Sequence, residues 1–273
     1  MSRLRRIALF GILLILGSTA AAAGDDRYVA NIERAIEAGR LTQAEAMLNV
    51  PDAIADPVAR QRLTASFALA RHENEKAARL FAELLLIMPR DCRIEEGAAT
   101  AAMRLRHYNQ AGSLLTDVTA ACPDRVRAWG SLAILYDIQG RWEASADAHG
   151  RALALDPDDP ALLNNAGASM FAQHRFREAQ DYFQRAVERD PTSERYRNNL
   201  DIAIVAAGNA PSLDREIDPE RRSRRLNNAG YAAWLANDPA TAEDYFRKSI
   251  ETSAYRFRVA EDNLEELRGK TTP

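Results

Sequence analysis

Residues 126–159 read VRAWGSLAILYDIQGRWEASADAHGRALALDPDD, and this stretch decides the fold. Ala128-Trp129, Leu132-Ala133 and Tyr136 place apolar side chains at helical spacing, so one stripe of a first helix is apolar. Gly140 breaks that run. A second helix follows through Trp142, Ser145 and Ala152-Leu153 and ends at Asp156-Pro157-Asp158-Asp159. Proline is excluded from a helix interior but tolerated in the first turn of the next, so Pro157 marks where one helix pair hands over to another. Small residues at Ala133, Ala144 and Ala152 let the paired helices cross closely.

Working outward, Pro157 is one of four prolines, with Pro89, Pro123 and Pro191, spaced by a constant 34 residues. Ala77, Ala111, Ser145 and Ala179 stand twelve residues before them, and Phe81, Leu115, His149 and Phe183 stand eight before. The frame runs 58–91, 92–125, 126–159 and 160–193 without a slip. A hairpin of this kind cannot bury its apolar face alone, and stacking neighbours closes the core. The class expected is all-α.

The frame degrades at both ends. Residues 24–57 form an atypical hairpin through Ile32, Ala35 and Ile36, then Gly39, then Leu41, Ala44 and Leu48. Residues 194–222 hold a half repeat cut off by Gly208 and Pro211, followed by a loop. Asp218-Pro219-Glu220 has the cap, proline and acidic first turn of a fresh helix, and the frame resumes over 223–256. Residues 257–273 carry Val259, Leu264 and Leu267 on a charged amphipathic helix suited to cap the open end.

Trp129, Leu132, Ala133, Tyr136, Gly140, Ala152 and Pro157 together resemble the tetratricopeptide repeat (TPR) pattern. The unit from Pro160 matches through Asn165, Ala166-Gly167, Phe176, Ala179, Phe183, Ala186 and Pro191. Ala133, Ser145 and His149 depart from it, standing where Gly, Ala and an aromatic are usual. The resemblance implies a right-handed α-solenoid of TPR hairpins with a C-terminal capping helix. It also implies a groove lined by first helices, where asparagines clamp a peptide backbone.

Three asparagine doublets fall in that place: Asn164-Asn165, Asn198-Asn199 and Asn227-Asn228. An amide side chain donates and accepts at once, so it can pair with a main chain of any sequence. Ala168, Ile202 and Tyr231 would add apolar contact one turn on; Ser131 and Ile134, then Gly97 and Thr100, are the upstream equivalents. Two readings fit these amides: a peptide-binding groove, or ties between adjacent helices. Capture of a C-terminal carboxylate, as in chaperone-binding TPR grooves, is doubtful here, because Asn and Ala stand where those use Lys or Arg.

The 36 basic against 39 acidic residues leave a charge of -3, which argues against a general affinity for nucleic acid or anionic membrane. Arg3, Arg5 and Arg6 precede an apolar core, Ile7–Leu16, and small residues ending in Ala21-Ala22-Ala23. This reads as an export signal over 1–23, cut before Gly24 or retained as an inner-membrane anchor. The expected location is the periplasm, with membrane contact only through an uncleaved N-terminus.

Cys92 opens its repeat and Cys122 closes it, so the two should meet where the hairpin's ends lie side by side. An oxidising compartment favours a disulfide there over two separate thiols.

The four histidines are scattered, and the sequence has no HExxH, GxSxG or phosphate-cradling glycine loop. No catalytic residue, metal or cofactor is expected, and no small-molecule substrate. Arg221-Arg222 and Arg224-Arg225 lie among Asp214, Glu216, Asp218 and Glu220; they are either self-neutralised or open to an acidic partner.

The function expected is an exported scaffold holding an extended or helical segment of an envelope protein; the alternative is a structural spacer in an envelope complex with an empty groove. Leu162–Pro191, Arg197-Asn198-Asn199-Leu200 and Leu226-Asn227-Asn228-Ala229-Gly230 resemble the TadD family, the TPR component of tight-adherence (Flp) pilus assembly. That resemblance implies a role in assembling the pilus or secretion machine.

Overall fold

The structure, a computed structural model, describes residues 26–211 and 218–271. The export segment 1–23 lies outside the described residues. Two compact units divide the chain, Met1–Ala128 and Trp129–Pro273. Among the described residues every regular element is a helix, so the class is all-α.

The first unit holds α1 (26–37), α2 (Leu41–Leu48), α3 (Pro57–Ala70), α4 (Asn74–Ile87), α5 (Cys92–Arg104), α6 (Tyr108–Ala121) and the first residues of α7 (Val126–Ile138). The second holds the rest of α7, then α8 (Trp142–Leu155), α9 (Pro160–Ala172), α10 (Phe176–Arg189), α11 (Glu194–Ala206), α12 (Pro219–Leu235), α13 (Pro239–Thr252) and α14 (Arg258–Thr271). Within each unit neighbouring helices pack in chain order, and α3 also meets α5, as α9 meets α11. This is the packing of an α-solenoid.

Local chemistry explains where the helices begin. Asp56, Asp91, Asp159 and Asp218 accept backbone N–H groups at the starts of α3, α5, α9 and α12, and Ser193 does so for α11. Each satisfies donors that no helical carbonyl can reach. First helices end in a common way. Just past each one the chain turns through one left-handed residue, at Gly39, His72, Arg106, Gly140, His174, Gly208 and Asn237. The next amide then reaches back five residues, as Glu73 does to Ala68 and Arg175 to Met170. Only three of these seven turns use glycine, which adopts that conformation without steric cost.

The positions picked out by the 34-residue spacing are core. Ala77, Ala111, Ser145 and Ala179 are completely buried, and Phe81, Leu115, His149 and Phe183 are buried with them. Phe183 packs so tightly on Gly167 that a Cβ there would sit 2.8 Å from its ring, and Phe246 approaches Gly230 to 2.6 Å on the same measure. Burial of such side chains is worth roughly 25 cal/mol per Å² of apolar surface, so Phe81, Phe183 and Phe246 help drive the packing where they occur.

Asp137 makes the two polar departures in the third repeat tolerable. Ser145 Oγ donates to it at 2.5 Å, Ser169 Oγ at 2.6 Å, and His149 Nε2 lies 3.1 Å away. Burial pushes its carboxyl up, but the bonds from His149, Ser145 and Ser169 outweigh that and hold it below the usual aspartate range.

Helix α12 begins at Pro219 with Asp218 as its cap, as the Asp218-Pro219-Glu220 signal predicts. One detail differs from the reading of the sequence. In α14, Leu267 and Ala260 are buried but Val259 is 53% exposed, so Val259 is no part of the capping face. Helix α14 packs on α13 and α12, and Asn263 Nδ2 donates to Asn227 Oδ1 at 3.0 Å.

Candidate functional site

The asparagine doublets sit on α9, α11 and α12 of the second unit, and each divides its work. Asn164 is buried and accepts from Asn199 Nδ2 at 2.7 Å, tying α9 to α11. Asn227 is buried and accepts from Asn263, tying α12 to α14. The other members, Asn165, Asn198 and Asn228, are half-buried, and among the described residues their side chains make no hydrogen bond. Helix geometry forces the split: adjacent residues on a helix point about 100° apart, so one amide faces a neighbour while the next looks outward. Asn199 therefore belongs with the ties, and Asn198, half-buried like it, is the member of the doublet without a side-chain bond among the described residues.

The apolar companions also divide. Tyr231 is 46% exposed and stands edge-on to Trp234, with ring centroids 6.1 Å apart. Ala168 is exposed, and Ser131 and Ile134 are half-buried. Ile202 packs against the core cluster around Ala229, Ala233 and Phe246, so its contact goes inward.

The basic run on α12 is largely absorbed. Arg225 forks onto buried Asp201, with Nε 2.6 Å and Nη2 2.9 Å from its oxygens. Arg221 lies 3.2 Å from Glu194 and 3.6 Å from Asp218. Arg222 and Arg224 remain exposed. Nothing in the sequence pattern marked Asp201, seven residues into α11, as the partner of Arg225.

Cys92 and Cys122 are joined by a disulfide, their Cα atoms 6.5 Å apart, linking the start of α5 to the end of α6. The Ser145–Asp137–His149 group has the residue types of a hydrolytic triad without its arrangement. Both hydroxyls donate to the carboxylate, so His149 is not placed to take a proton from either.

A family model described as the cilia and flagella-associated protein 70 C-terminal domain, a TPR domain, matches residues 31–236. The chain belongs to this TPR family. Among curated relatives, the type IV pilus assembly protein PilF of Pseudomonas aeruginosa is 25% identical to this TPR chain over 138 residues, half of this chain and 44% of PilF. The peroxisomal targeting signal receptor of Candida albicans is 32% identical over 77 residues, 28% of this chain and 13% of the receptor. The TPR chain thus spans less than half the length of these relatives. Among solved structures, the Cut9–Hcn1 hetero-tetramer of the APC/C superposes with a TM-score of 0.65 at 17% identity, over 89% of this chain and 49% of that one. The structure of Pseudomonas aeruginosa PilF gives 0.55 at 12% identity, over 92% and 100%. At such identities these structures share the TPR fold, and a TPR fold is a scaffold for protein–protein interaction.

Proposed function

We propose that this TPR chain is an exported, periplasmic scaffold whose first-helix amides in residues 129–273 hold an extended or helical segment of a cell-envelope protein, in the assembly of a Flp/Tad-type pilus or a related secretion system. The observation that carries it is the outward set Asn165, Asn198 and Asn228, with exposed Ala168 and Tyr231 beside it. Amides left without a partner on a folded surface are free to pair with a guest main chain, and neighbouring apolar side chains add contact area. The match to PilF across half the chain supports an envelope assembly role, and the basic, apolar and small-residue run of 1–23 supports export. The partner class is protein or peptide.

A second reading has its own support. Asn164–Asn199 and Asn227–Asn263 are ties between helices, which fits a spacer whose asparagines serve rigidity and whose face stays empty.

Photocrosslinking separates the two. A photoreactive residue at Ala168 or Tyr231 should yield the same discrete protein adduct in the periplasmic fraction, and one at exposed Arg151 should not. Adducts of equal yield at all three positions, or a chain found only in the cytoplasm, would overturn the proposal.

A further inference from the structure

Three consecutive apolar residues, Leu86, Ile87 and Met88, close α4 with 86%, 60% and 43% of their surface exposed. Scattered apolar side chains on a surface are ordinary, but a contiguous run turned to solvent marks a contact surface. Val50, just past α2, is 44% exposed.

Hydrogen bonds place these residues on one edge of the first unit. Tyr28 Oη, near the start of α1, donates at 2.8 Å to the Met47 carbonyl near the end of α2. Arg60, in the first turn of α3, donates to the Leu48 and Ile54 carbonyls, both at 3.3 Å. Gln61 Nε2, beside it, donates at 2.8 Å to Glu83 Oε2, one turn before the end of α4. The ends of α2 and α4 and the starts of α1 and α3 therefore lie together. Exposed Arg27, Arg90 and Arg93 stand among exposed Asp26, Asp52 and Glu83, so the edge carries both signs. Its distinguishing feature is apolar.

The chain leading into this edge says what covers it. Residues 7–23 contain no charged residue, and Arg3, Arg5 and Arg6 precede them. Gly24 and Asp25 alone separate Ala23 from Asp26, where α1 begins. Three Cα steps reach at most about 11 Å. Whenever residues 7–23 sit in a bilayer, the start of α1 is held at its surface, and the edge with it. Apolar side chains at that depth enter the boundary between headgroups and acyl chains.

We propose that this edge, through Val50, Leu86, Ile87 and Met88, lies in the lipid interface of the membrane that holds residues 7–23. The inference rests on reading 1–23 as a membrane-inserted segment, retained or not yet cut. It is independent of the amide face of residues 129–273.

The test uses the full chain, its Cys92–Cys122 bridge intact, in phosphatidylcholine vesicles that carry a doxyl-labelled lipid. An NBD fluorophore is placed singly through I12C, V50C, L86C or Q110C. Gln110 is the control: it is exposed, in the same unit, and at the start of α6, roughly 20 Å from the end tied to Cys92. The labelled lipid should quench I12C, V50C and L86C at least about twofold and leave Q110C unchanged. Quenching should be equal at about 50 and about 300 mM salt, because the contact is apolar. L86N/I87N, at two exposed positions, should bring V50C down to the Q110C level and leave I12C quenched.

Quenching of I12C alone would overturn the edge contact and leave the reading of 1–23 standing, whereas quenching at no position would overturn both. Equal quenching of Q110C, loss of the signal at high salt, or an undiminished V50C in L86N/I87N would also overturn it. Protection of L86C without vesicles, rising with protein concentration, would put a second copy of the chain on the edge instead of lipid.

Discussion

Asn199 donates its side-chain amide to Asn164 Oδ1 at 2.7 Å across α9 and α11, from a position 35 residues further along the chain. Asn164 is buried, so losing the donor leaves a polar oxygen without water or partner. Such a group costs about 1–3 kcal/mol. Urea unfolding of N164A, N199A and the double variant should give a coupling of about 1 kcal/mol, and N165A should stay within about 0.5 kcal/mol of the parent. Independent effects at 164 and 199 would remove the tie.

Glycines of the second unit separate by what faces them. A Cβ at Gly167 would meet the Phe183 ring, whereas at Gly150 on α8 nothing lies within 4 Å. G167A should therefore cost about 1–3 kcal/mol through overpacking. G150A should instead stabilise by about 0.5–1 kcal/mol, the ordinary helix preference for alanine. Thermal unfolding reads both, and equal shifts of one sign would contradict the close approach.

The Cys92–Cys122 bridge closes a loop with a sequence separation of 30. Chain-entropy arguments give such a loop about 3–4 kcal/mol. Denaturant midpoints of the oxidised chain should fall on adding reductant, and C92S should show the lower midpoint with or without it. A midpoint indifferent to reductant would mean that the bridge does not form in solution.

Asp137 ties acid stability to the third repeat. Its carboxyl is held below the usual range in the folded chain, so the unfolded state binds the proton more readily. The stabilisation is then complete above the ordinary aspartate value of about 3.9 and is lost as pH falls through the lower folded value. D137N should destabilise by about 2–3 kcal/mol at neutral pH, given three hydrogen bonds to one carboxylate. The gap between the two chains should narrow below about pH 4. A constant gap down the acid limb would exclude the linkage.

The fold was legible because the repeat puts the same demand on residues 34 positions apart. Ala77, Ala111 and Ala179 must be small where helices cross, and Phe81 and Phe183 must be large where hairpins close. What a period cannot carry is contact between departures from it. Asp137 is outside the pattern, yet Ser145 and His149 are tolerated only because it accepts from both. The left-handed conformation at His72, Arg106 and His174 is not legible, because glycine is the strong sequence signal for it and is absent there.

The candidate surfaces were legible only in part. The doublets place amides on α9, α11 and α12, but which amide of each pair is bonded depends on neighbouring helices, and Asn199 bonds to Asn164. Ile202 reads as an exposed companion on α11 alone; α12 and α13 cover it. A cavity of the first unit is lined by Arg62, Arg93, Arg104 and Arg127 from α3, α5 and α7; Arg93 and Arg127 keep the 34-residue spacing, but Arg62 and Arg104 do not.

The most direct measurement is the adduct yield from a photoreactive residue at Ala168 in the N165A/N198A/N228A chain, with its urea midpoint taken alongside. With the midpoint within about 1 kcal/mol of the parent, the yield should fall at least about tenfold, because the guest main chain has lost its amides. Undiminished yield from a folded triple variant would contradict the amide face as the binding surface.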